Sequence, residues 1–386
     1  MTEPDPIPLA RPDVGEREEE LVIDVLRSAR FSLGPMGRRF EETFAEWVGA
    51  DDAVAISSGT AALHLGVRAL GWGKGDEVVT SPFSFVASAN CLLYEDVKPV
   101  FCDVDPVTLN VDPAAVEAAI GEATAGILPV DILGYPAAIP ALEALAEERG
   151  LGLLEDACEA LGAADSEGRR SGSAGITAAF AFYPNKQLTT GEGGMLVPAD
   201  ARVAELARSE RNQGRSADME VVDHVRLGFN YRLSDIAAAV GVAQLERLDD
   251  LLAARDRVAA AYGERLAELG APAGEADPEG LLLPCADRGE ERRSWFVYAV
   301  RLPRDADRDA VLGDLAQRGI QAKAYMPSIH LMPFYRELFG YREGSLPVAE
   351  DASARLVSLP FFPQMTDDQV ERVCEALDEA LTGSWV

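Results

Sequence analysis

Short apolar runs alternate with segments of helical periodicity over residues 51–197 of the sequence. In residues 59–70, Leu63, Val67 and Leu70 recur at the spacing that places them on one face of a helix. Such alternation is typical of βα units that build a mostly parallel sheet, so the pattern predicts an α/β fold. The predicted strands are 53–56, 76–80, 99–104, 127–133, 151–155, 178–183 and 194–197.

Capping residues mark the helix ends in this half of the chain. Asp112 followed by Pro113 predicts a helix start, because aspartate caps the first free N–H groups and proline fits the first helical position. A helix over residues 140–149 should stop at Gly150, since glycine readily adopts the left-handed conformation that ends a helix.

The pattern changes after Ser234 to two long helices, predicted at 234–252 and 253–269. Residues 270–280 are rich in Gly, Pro, Ala and acid, which predicts a linker or surface turn. We expect a large α/β domain with the N-terminal segment over residues 1–252, and a smaller α+β domain over 253–386. The elements predicted in the smaller domain after the linker are a strand at 294–302 and helices at 308–318 and 367–381.

Composition and charge narrow the function classes. The 386 residues are 48% hydrophobic and 26% charged, which excludes a disordered scaffold. The net charge of −30 repels nucleic-acid backbones and anionic membranes, so neither is an expected partner. The acidic start lacks the basic and apolar parts of a signal peptide, and no apolar stretch of about 18 residues occurs. Five widely spaced cysteines without CxxC pairs fit free thiols in a reducing compartment, so we expect a soluble, cytoplasmic protein.

Three short segments carry candidate chemistry. Lys186 follows an apolar strand and precedes a glycine-rich loop, although a lone lysine in such a loop is more often a solvated cation. Asp156 ends a predicted parallel strand, where α/β proteins bind ligands, or else caps the following segment. In SSGTAAL, the helix start with Ser58 and Thr60 can hold a phosphate, or can be an ordinary N-cap.

Together these groups are the parts that pyridoxal 5'-phosphate requires: an imine-forming lysine, a carboxylate for the pyridine nitrogen and a phosphate cradle. The sequence resembles the DegT/DnrJ/EryC1/StrS sugar aminotransferases, which have the type I fold of pyridoxal-phosphate enzymes. The resemblance covers nearly the whole chain. It rests on SLGPMGRRFEE, SSGTAAL, GDEVVTSPFSFVASAN, EDACEALGA, FAFYPNKQLTTGEGG, RNQGR, LGFNYRLSDIAAAVGVAQL, PSIHLMPFY and SLPFFP.

The resemblance implies that Lys186 is the lysine that binds the cofactor aldehyde and that Asp156 pairs with its pyridinium nitrogen. Gly59 and Thr60 match phosphate-binding positions. Phe85 matches the aromatic residue that stacks on the cofactor ring, with a plain core position as the alternative.

Asn230 matches a residue that family members deliver to the cofactor phosphate of the neighbouring subunit. The resemblance therefore implies a homodimer with shared active sites. A turn-forming asparagine between Gly228 and Tyr231 is the alternative.

Several positions depart from the family pattern. Ala181 stands where many members have a serine that binds the phosphate, so one hydrogen bond worth about 0.5–1.5 kcal/mol is absent or supplied elsewhere. Glu159 stands close to the cofactor where glutamine is common, and as a carboxylate it accepts but does not donate. Asp131, Leu161 and Gln213 stand where histidines are common. We expect these changes to report on subgroup and substrate while the cofactor stays the same.

The PSIHLMPFY region lies near the substrate entry in relatives, so Tyr325 and His330 could contact substrate. For His330 a structural role is the alternative. With three histidines and no ligand spacing, we expect no catalytic metal.

The expected activity is transfer of an amino group from glutamate or glutamine to a keto sugar, expected to be nucleotide-linked. Three alternatives stay open: an aminotransferase for a keto-cyclitol, a cofactor-dependent sugar dehydratase, and a non-catalytic cofactor-binding regulator. Dehydratases of the family typically carry histidine where this chain has Lys186. The absence of a basic helix-turn-helix segment argues against DNA control.

Overall fold

A computed structural model describes residues 5–216, 223–275 and 278–383 of the chain. The strands are β1 Val54–Ile56, β2 Glu77–Thr80, β3 Lys98–Phe101, β4 Thr124–Leu128, β5 Gly152–Asp156, β6 Thr177–Ala181, β7 Gly194–Val197, β8 Gly270–Pro272, β9 Leu281–Leu283, β10 Tyr298–Arg301, β11 Lys323–Ala324 and β12 Leu356–Leu359. The helices are α1 Glu16–Ser28, α2 Pro35–Val48, α3 Gly59–Leu70, α4 Ala87–Leu93, α5 Pro113–Ala119, α6 Ile139–Arg149, α7 Ala201–Glu210, α8 Asp235–Leu245, α9 Leu248–Leu266, α10 Arg308–Gln317, α11 Pro333–Phe339, α12 Pro347–Arg355 and α13 Asp367–Thr382.

The first seven strands form one sheet in the order β1-β7-β6-β5-β4-β2-β3. Strands β2 to β6 pair in parallel with one another, and β7 runs antiparallel to its two neighbours, β1 and β6. Helix α3 packs on this sheet with most of its residues buried, which is more than the one apolar face that the spacing predicts. The predicted α/β fold with a mostly parallel sheet is confirmed.

The later strands form a second sheet in the order β11-β12-β10-β9-β8, which is antiparallel except for the β8–β9 pair. Its core includes residues of α9, α10 and α13. Ile7 from the N-terminal segment also belongs to this core and bridges to Ile320. The division of the chain at residue 252 stays a prediction, and α9 continues across it.

Several helices begin or end at the capping residues that the sequence predicted. Asp112 accepts a hydrogen bond from Ala114 N at the start of α5, and Gly150 ends α6 with a φ of 65°. The boundaries of α3 and β7 are those predicted. The predicted strand 127–133 is wrong after its second residue, because β4 ends at Leu128 and Leu133 has a φ of 55° inside a short turn. Its apolar residues are buried there without being extended.

The break between the long helices was also predicted in the wrong place. Helix α8 ends at Leu245, and Arg247 has the non-helical angles φ −132° and ψ 21°. Arg247 donates hydrogen bonds to Glu18 and to the Asp13 carbonyl, which hold this corner against the N-terminal segment. The predicted linker at 270–280 is wrong at its start, because β8 pairs in parallel with β9 there.

Candidate functional site

A cavity of about 620 Å³ lies at the carboxyl ends of β5 and β6. Residues around β11 form another part of its wall. The cavity brings together most of the residues that the sequence singled out. Those on its wall are Ser58, Gly59, Thr60, Phe85, Asp156, Glu159, Lys186 and Tyr325.

Asp156 is the last residue of β5 and is only 3% exposed. Ser88 Oγ donates a hydrogen bond of 2.6 Å to its Oδ2, and Cys158 N donates one of 3.1 Å to its Oδ1. These two bonds fix the carboxylate while leaving further acceptor positions on both oxygens. Asp156 can therefore accept another N–H from the cavity.

The start of α3 forms a second part of the wall. Ser58 caps the helix by accepting a hydrogen bond from Ala61 N, so its hydroxyl hydrogen remains available to a ligand. A Cβ at Gly59 would lie 2.5 Å from Ala181 Cβ, and one at Gly194 would lie 2.5 Å from the Ser58 carbonyl. Both glycines are needed for this close packing, which leaves Ser58, Gly59 and Thr60 on the cavity wall at the start of the helix, a position that suits an anion.

Lys186 lies in the loop between β6 and β7, with its backbone N–H bonded to the Tyr183 carbonyl. Its side chain is 12% exposed, and Nζ lies 3.6 Å from Glu159 Oε1. The same Nζ sits over the Phe296 ring, 3.9 Å from the ring centroid. A carboxylate and an aromatic face thus hold the amine in the cavity.

Glu159 is buried, and its two oxygens face different partners. Leu133 N donates to Oε2 at 2.9 Å, while the Tyr325 hydroxyl lies 3.5 Å from Oε1. Burial raises the pKa of Glu159, and the positive charge of Lys186 opposes that change. Burial beside Glu159 also raises the pKa of Tyr325 well above its usual value, so the phenol stays protonated.

Phe85 precedes α4 on the cavity wall and is 62% exposed. A core aromatic residue would be covered, so the plain core alternative does not describe it. Its open ring is available to a planar ligand. Among the residues that the structure covers, no group of three or more side chains is arranged as a metal site.

Two predicted residues lie outside the cavity wall. Asn230 is exposed and bridges to Asn212, so any contact with a cofactor would be made outside its own cavity. His330 is fully buried, with Nε2 3.1 Å from Glu350 Oε1. The buried position favours the structural alternative for His330, and its substrate contact stays a prediction.

The departures at Leu161 and Asp131 lie in buried surroundings. Asp131 accepts hydrogen bonds from Ala137 N and Ser171 Oγ, and it shares a hydrogen bond with Glu155. Burial raises the pKa of both carboxyl groups. Gln213 has a φ of 61° in a surface turn.

Sequence reasoning missed four residues of this site. Ser88 orients Asp156, and its place three residues after Phe85 in a quoted motif was the available signal. Phe296 covers the Lys186 amine, and Arg255 donates to the Lys186 carbonyl at 2.8 Å. Lys323 lies on the cavity wall from the second sheet. Phe296, Arg255 and Lys323 are distant from Lys186 in sequence, and no local pattern marks them.

We find no helix in the described part of the chain with the length and apolar character that crossing a bilayer requires. All five cysteines are free, as predicted.

The chain is similar over nearly its whole length to known proteins. The GDP-perosamine synthase of Caulobacter vibrioides is 36% identical over 378 residues, which cover 97% of this chain and 98% of that protein. The crystal structure of S. venezuelae DesV, in complex with a ketimine intermediate, is 34% identical with a TM-score of 0.89, covering 99% and 100% of the two chains. The structure of 3-amino-5-hydroxybenzoic acid synthase is 30% identical with a TM-score of 0.88, covering 98% and 99%. A model of the DegT/DnrJ/EryC1/StrS aminotransferase family matches residues 12–378, and the chain belongs to that family.

Proposed function

We propose that this aminotransferase uses pyridoxal 5'-phosphate to move an amino group from glutamate or glutamine to a nucleotide-linked keto sugar. The observation that carries the proposal is the meeting of Lys186, Asp156 and the start of α3 on one cavity. An amine, a carboxylate and an anion site are the three groups that this cofactor needs.

The described residues fit the cofactor. Asp156 keeps free acceptor positions at the end of a buried strand, which suits a pyridinium N–H. An ion pair near 4 Å is worth about 4 kcal/mol at an effective dielectric near 20, enough to keep such a ring nitrogen protonated. Gly59 and Gly194 allow the start of α3 to pack closely against β6 and β7, and the start of a helix suits a phosphate.

When bound, the cofactor supplies an electron sink that allows a proton to leave the donor Cα. Lys186 Nζ is the base placed to take that proton and return it, because the other charged groups of the wall are carboxylates and Lys323. Ser58 and Thr60 bind the phosphate, and Phe85 orients the ring. Glu159 holds the Lys186 amine through the 3.6 Å contact.

We also propose that the protein is a homodimer and is cytoplasmic. Asn230 is exposed and off its own cavity, which supports a contact with the cofactor phosphate of a second subunit. The free cysteines support a reducing compartment.

The acceptor class rests on the relatives. GDP-perosamine synthase is named for an amino sugar linked to a nucleotide, and this supports a similar acceptor here. The 3-amino-5-hydroxybenzoic acid synthase is named for a carbocyclic product, and this keeps a keto-cyclitol acceptor as a second candidate. Incubation with a panel of 3-keto and 4-keto nucleotide sugars and keto-cyclitols, with product masses measured, separates the two.

Lys186 is tested by borohydride reduction of the loaded protein followed by peptide mapping. The tag should fall on Lys186, and Lys186→Ala should lose both the cofactor absorbance and turnover. Lys98→Ala is the matched control, since Lys98 lies on the surface in an ion pair with Glu77. A tag on another amine would refute the assignment.

Incubation with glutamate or glutamine alone tests transamination. Conversion of the bound cofactor to its amine form supports an aminotransferase and identifies the donor. A cofactor spectrum that never converts with either amino acid would favour a non-catalytic binding protein. A dehydratase is disfavoured because the chain keeps a lysine at position 186.

A further inference from the structure

Lys323 is a cation on the cavity wall that neither the cofactor site nor the chemistry at Lys186 uses. It begins β11, the edge strand of the second sheet, where it pairs with Ser358 of β12. Its side chain is exposed, and no ion pair or hydrogen bond to it is found within the described ranges. Its charge is therefore available to a ligand.

The chain contains 31 arginines and only four lysines, which are Lys74, Lys98, Lys186 and Lys323. Two of the four lie on this one cavity. Edge strands often carry a charged residue simply to prevent pairing with another chain. Lys323 can serve that purpose, and because it also lies on the cavity wall its charge can contact a ligand there.

The electrostatic setting gives Lys323 a specific task. The protein carries a net charge of −30, which repels an anionic substrate. The other charged residues on the cavity wall are Asp156, Glu159, Glu192 and Lys186, and the contact with Glu159 already engages the Lys186 amine. Lys323 is thus the remaining cation of the described wall that can meet an incoming anion.

The cavity also continues beyond Lys323. A second cavity of about 580 Å³ shares Ala324, Met326, Pro327 and Met332 with the first. An elongated substrate can therefore place its reacting carbon near Lys186 and its far end past β11. Lys323 lines the first cavity, and its chain neighbour Ala324 lines both.

We propose that Lys323 binds a phosphate group of the acceptor substrate and so selects a nucleotide-linked keto sugar over a neutral keto-cyclitol. This inference rests on the proposed aminotransferase function. The ammonium group supplies three donors and a full charge, and phosphate oxygens accept such charge-assisted hydrogen bonds strongly.

The test uses the loaded enzyme and the free nucleoside diphosphates GDP, UDP and dTDP as probes, with binding measured by calorimetry. Lys323→Met should weaken binding of at least one diphosphate by about ten-fold or more, which is the effect of losing one charge-assisted contact. Lys323→Arg keeps the charge and should bind within about three-fold of the parent enzyme. The corresponding nucleosides, which lack phosphate, should not distinguish the parent from Lys323→Met.

Equal diphosphate affinity in the parent enzyme and Lys323→Met would overturn the proposal, as would a parent enzyme that binds none of the three diphosphates. The donor carboxylate is the competing source of the anion. A rise in the glutamate concentration needed for half-conversion of the cofactor, without a loss of diphosphate affinity, would assign Lys323 to the donor and overturn the proposal. Failure of the parent enzyme to convert with any amino acid is a different result, which refutes the proposed function.

Discussion

Arg255 of α9 provides a test of how the loop that carries Lys186 is held. Its guanidinium Nη2 donates to the carbonyls of Lys186 at 2.8 Å and Asn185 at 3.4 Å. Nη1 donates to the carbonyls of Phe296 at 3.2 Å and Trp295 at 3.3 Å. One side chain therefore ties the backbone of the reactive lysine to the backbone of the aromatic residue that covers its amine. Arg255 is a positioning residue in this arrangement.

The size of the effect follows from two opposing contributions. Burial without a carboxylate partner lowers the pKa of Arg255 from 12.5 to about 10. At about 1.36 kcal/mol per pKa unit, this corresponds to a cost of about 3 kcal/mol for burying the charge. Against it stand one hydrogen bond of ordinary length, worth about 2–3 kcal/mol from a charged donor, and three longer ones worth about 1 kcal/mol each. The balance favours the native arrangement by about 2–3 kcal/mol.

We expect Arg255→Met to lower the free energy of unfolding by about 2–3 kcal/mol. A shift of Lys186 by about 1 Å should also lower kcat by about 100-fold. The assays are urea unfolding and steady-state kinetics with the acceptor varied. Because the displaced amine acts in the transition state, kcat and kcat/KM should fall together while KM for the acceptor stays near the parent value.

Two further variants keep this prediction testable. Arg257→Met is the matched control on the same helix, because exposed Arg257 donates to the Pro363 carbonyl and not to the Lys186 loop. Arg255→Lys keeps the charge, but its three donors cannot satisfy four carbonyls, so stability and kcat should lie between Arg255→Met and the parent. If Arg255→Met retains the kcat and stability of the Arg257→Met control, the positioning argument is wrong.

The remaining predictions concern packing and pH. Gly59→Ala should weaken cofactor binding and lower the free energy of unfolding by about 1–3 kcal/mol, because the new Cβ clashes with Ala181. Adding Ala181→Gly should recover part of the binding and part of the stability. A double variant that is no better than Gly59→Ala in calorimetry would contradict this. Because burial raises the pKa values of Glu155 and Asp131, the folded state retains protons that the unfolded chain releases, and stability should fall as pH rises above the ordinary carboxyl range. Glu155→Gln keeps a donor for Asp131 without the second charge, so it should raise Tm more at pH 8 than at pH 5, and an equal gain at both values would refute this origin.

Sequence reasoning succeeded where the determining interactions are local. The boundaries of α3 follow from the Ser58 cap and the apolar spacing, and both lie within the segment itself. It failed at the break before α9, because Glu246 and Arg247 are compatible with a helix and the contacts of Arg247 there are with residues distant in sequence. The same difference between local and distant interactions explains why the ends of β7 were predicted correctly and those of β4 were not.

The candidate site divides in the same way. Lys186, Asp156 and Ser58 lie in contiguous motifs whose residue types state their chemistry, and the fold brings them onto one cavity. Arg255 and Lys323 come from elements that only the tertiary structure places beside those motifs. An arginine on an amphipathic helix and a lysine on an edge strand have ordinary surface explanations, so periodicity cannot single them out.

The departures at Glu159 and Asp131 become one structural change when their contacts are considered together. Leu133 lies between them in the turn with a φ of 55°, and its N–H donates to Glu159 Oε2. Asp131 accepts from Ala137 N at the far side of the same turn. A carboxylate that only accepts is suited to these backbone donors. Burial raises the pKa of both groups because it disfavours the charged form, and the backbone hydrogen bonds oppose that change. The two acids therefore stabilise the turn behind the cavity, while the other oxygen of Glu159 faces both the Lys186 amine and the Tyr325 hydroxyl inside it.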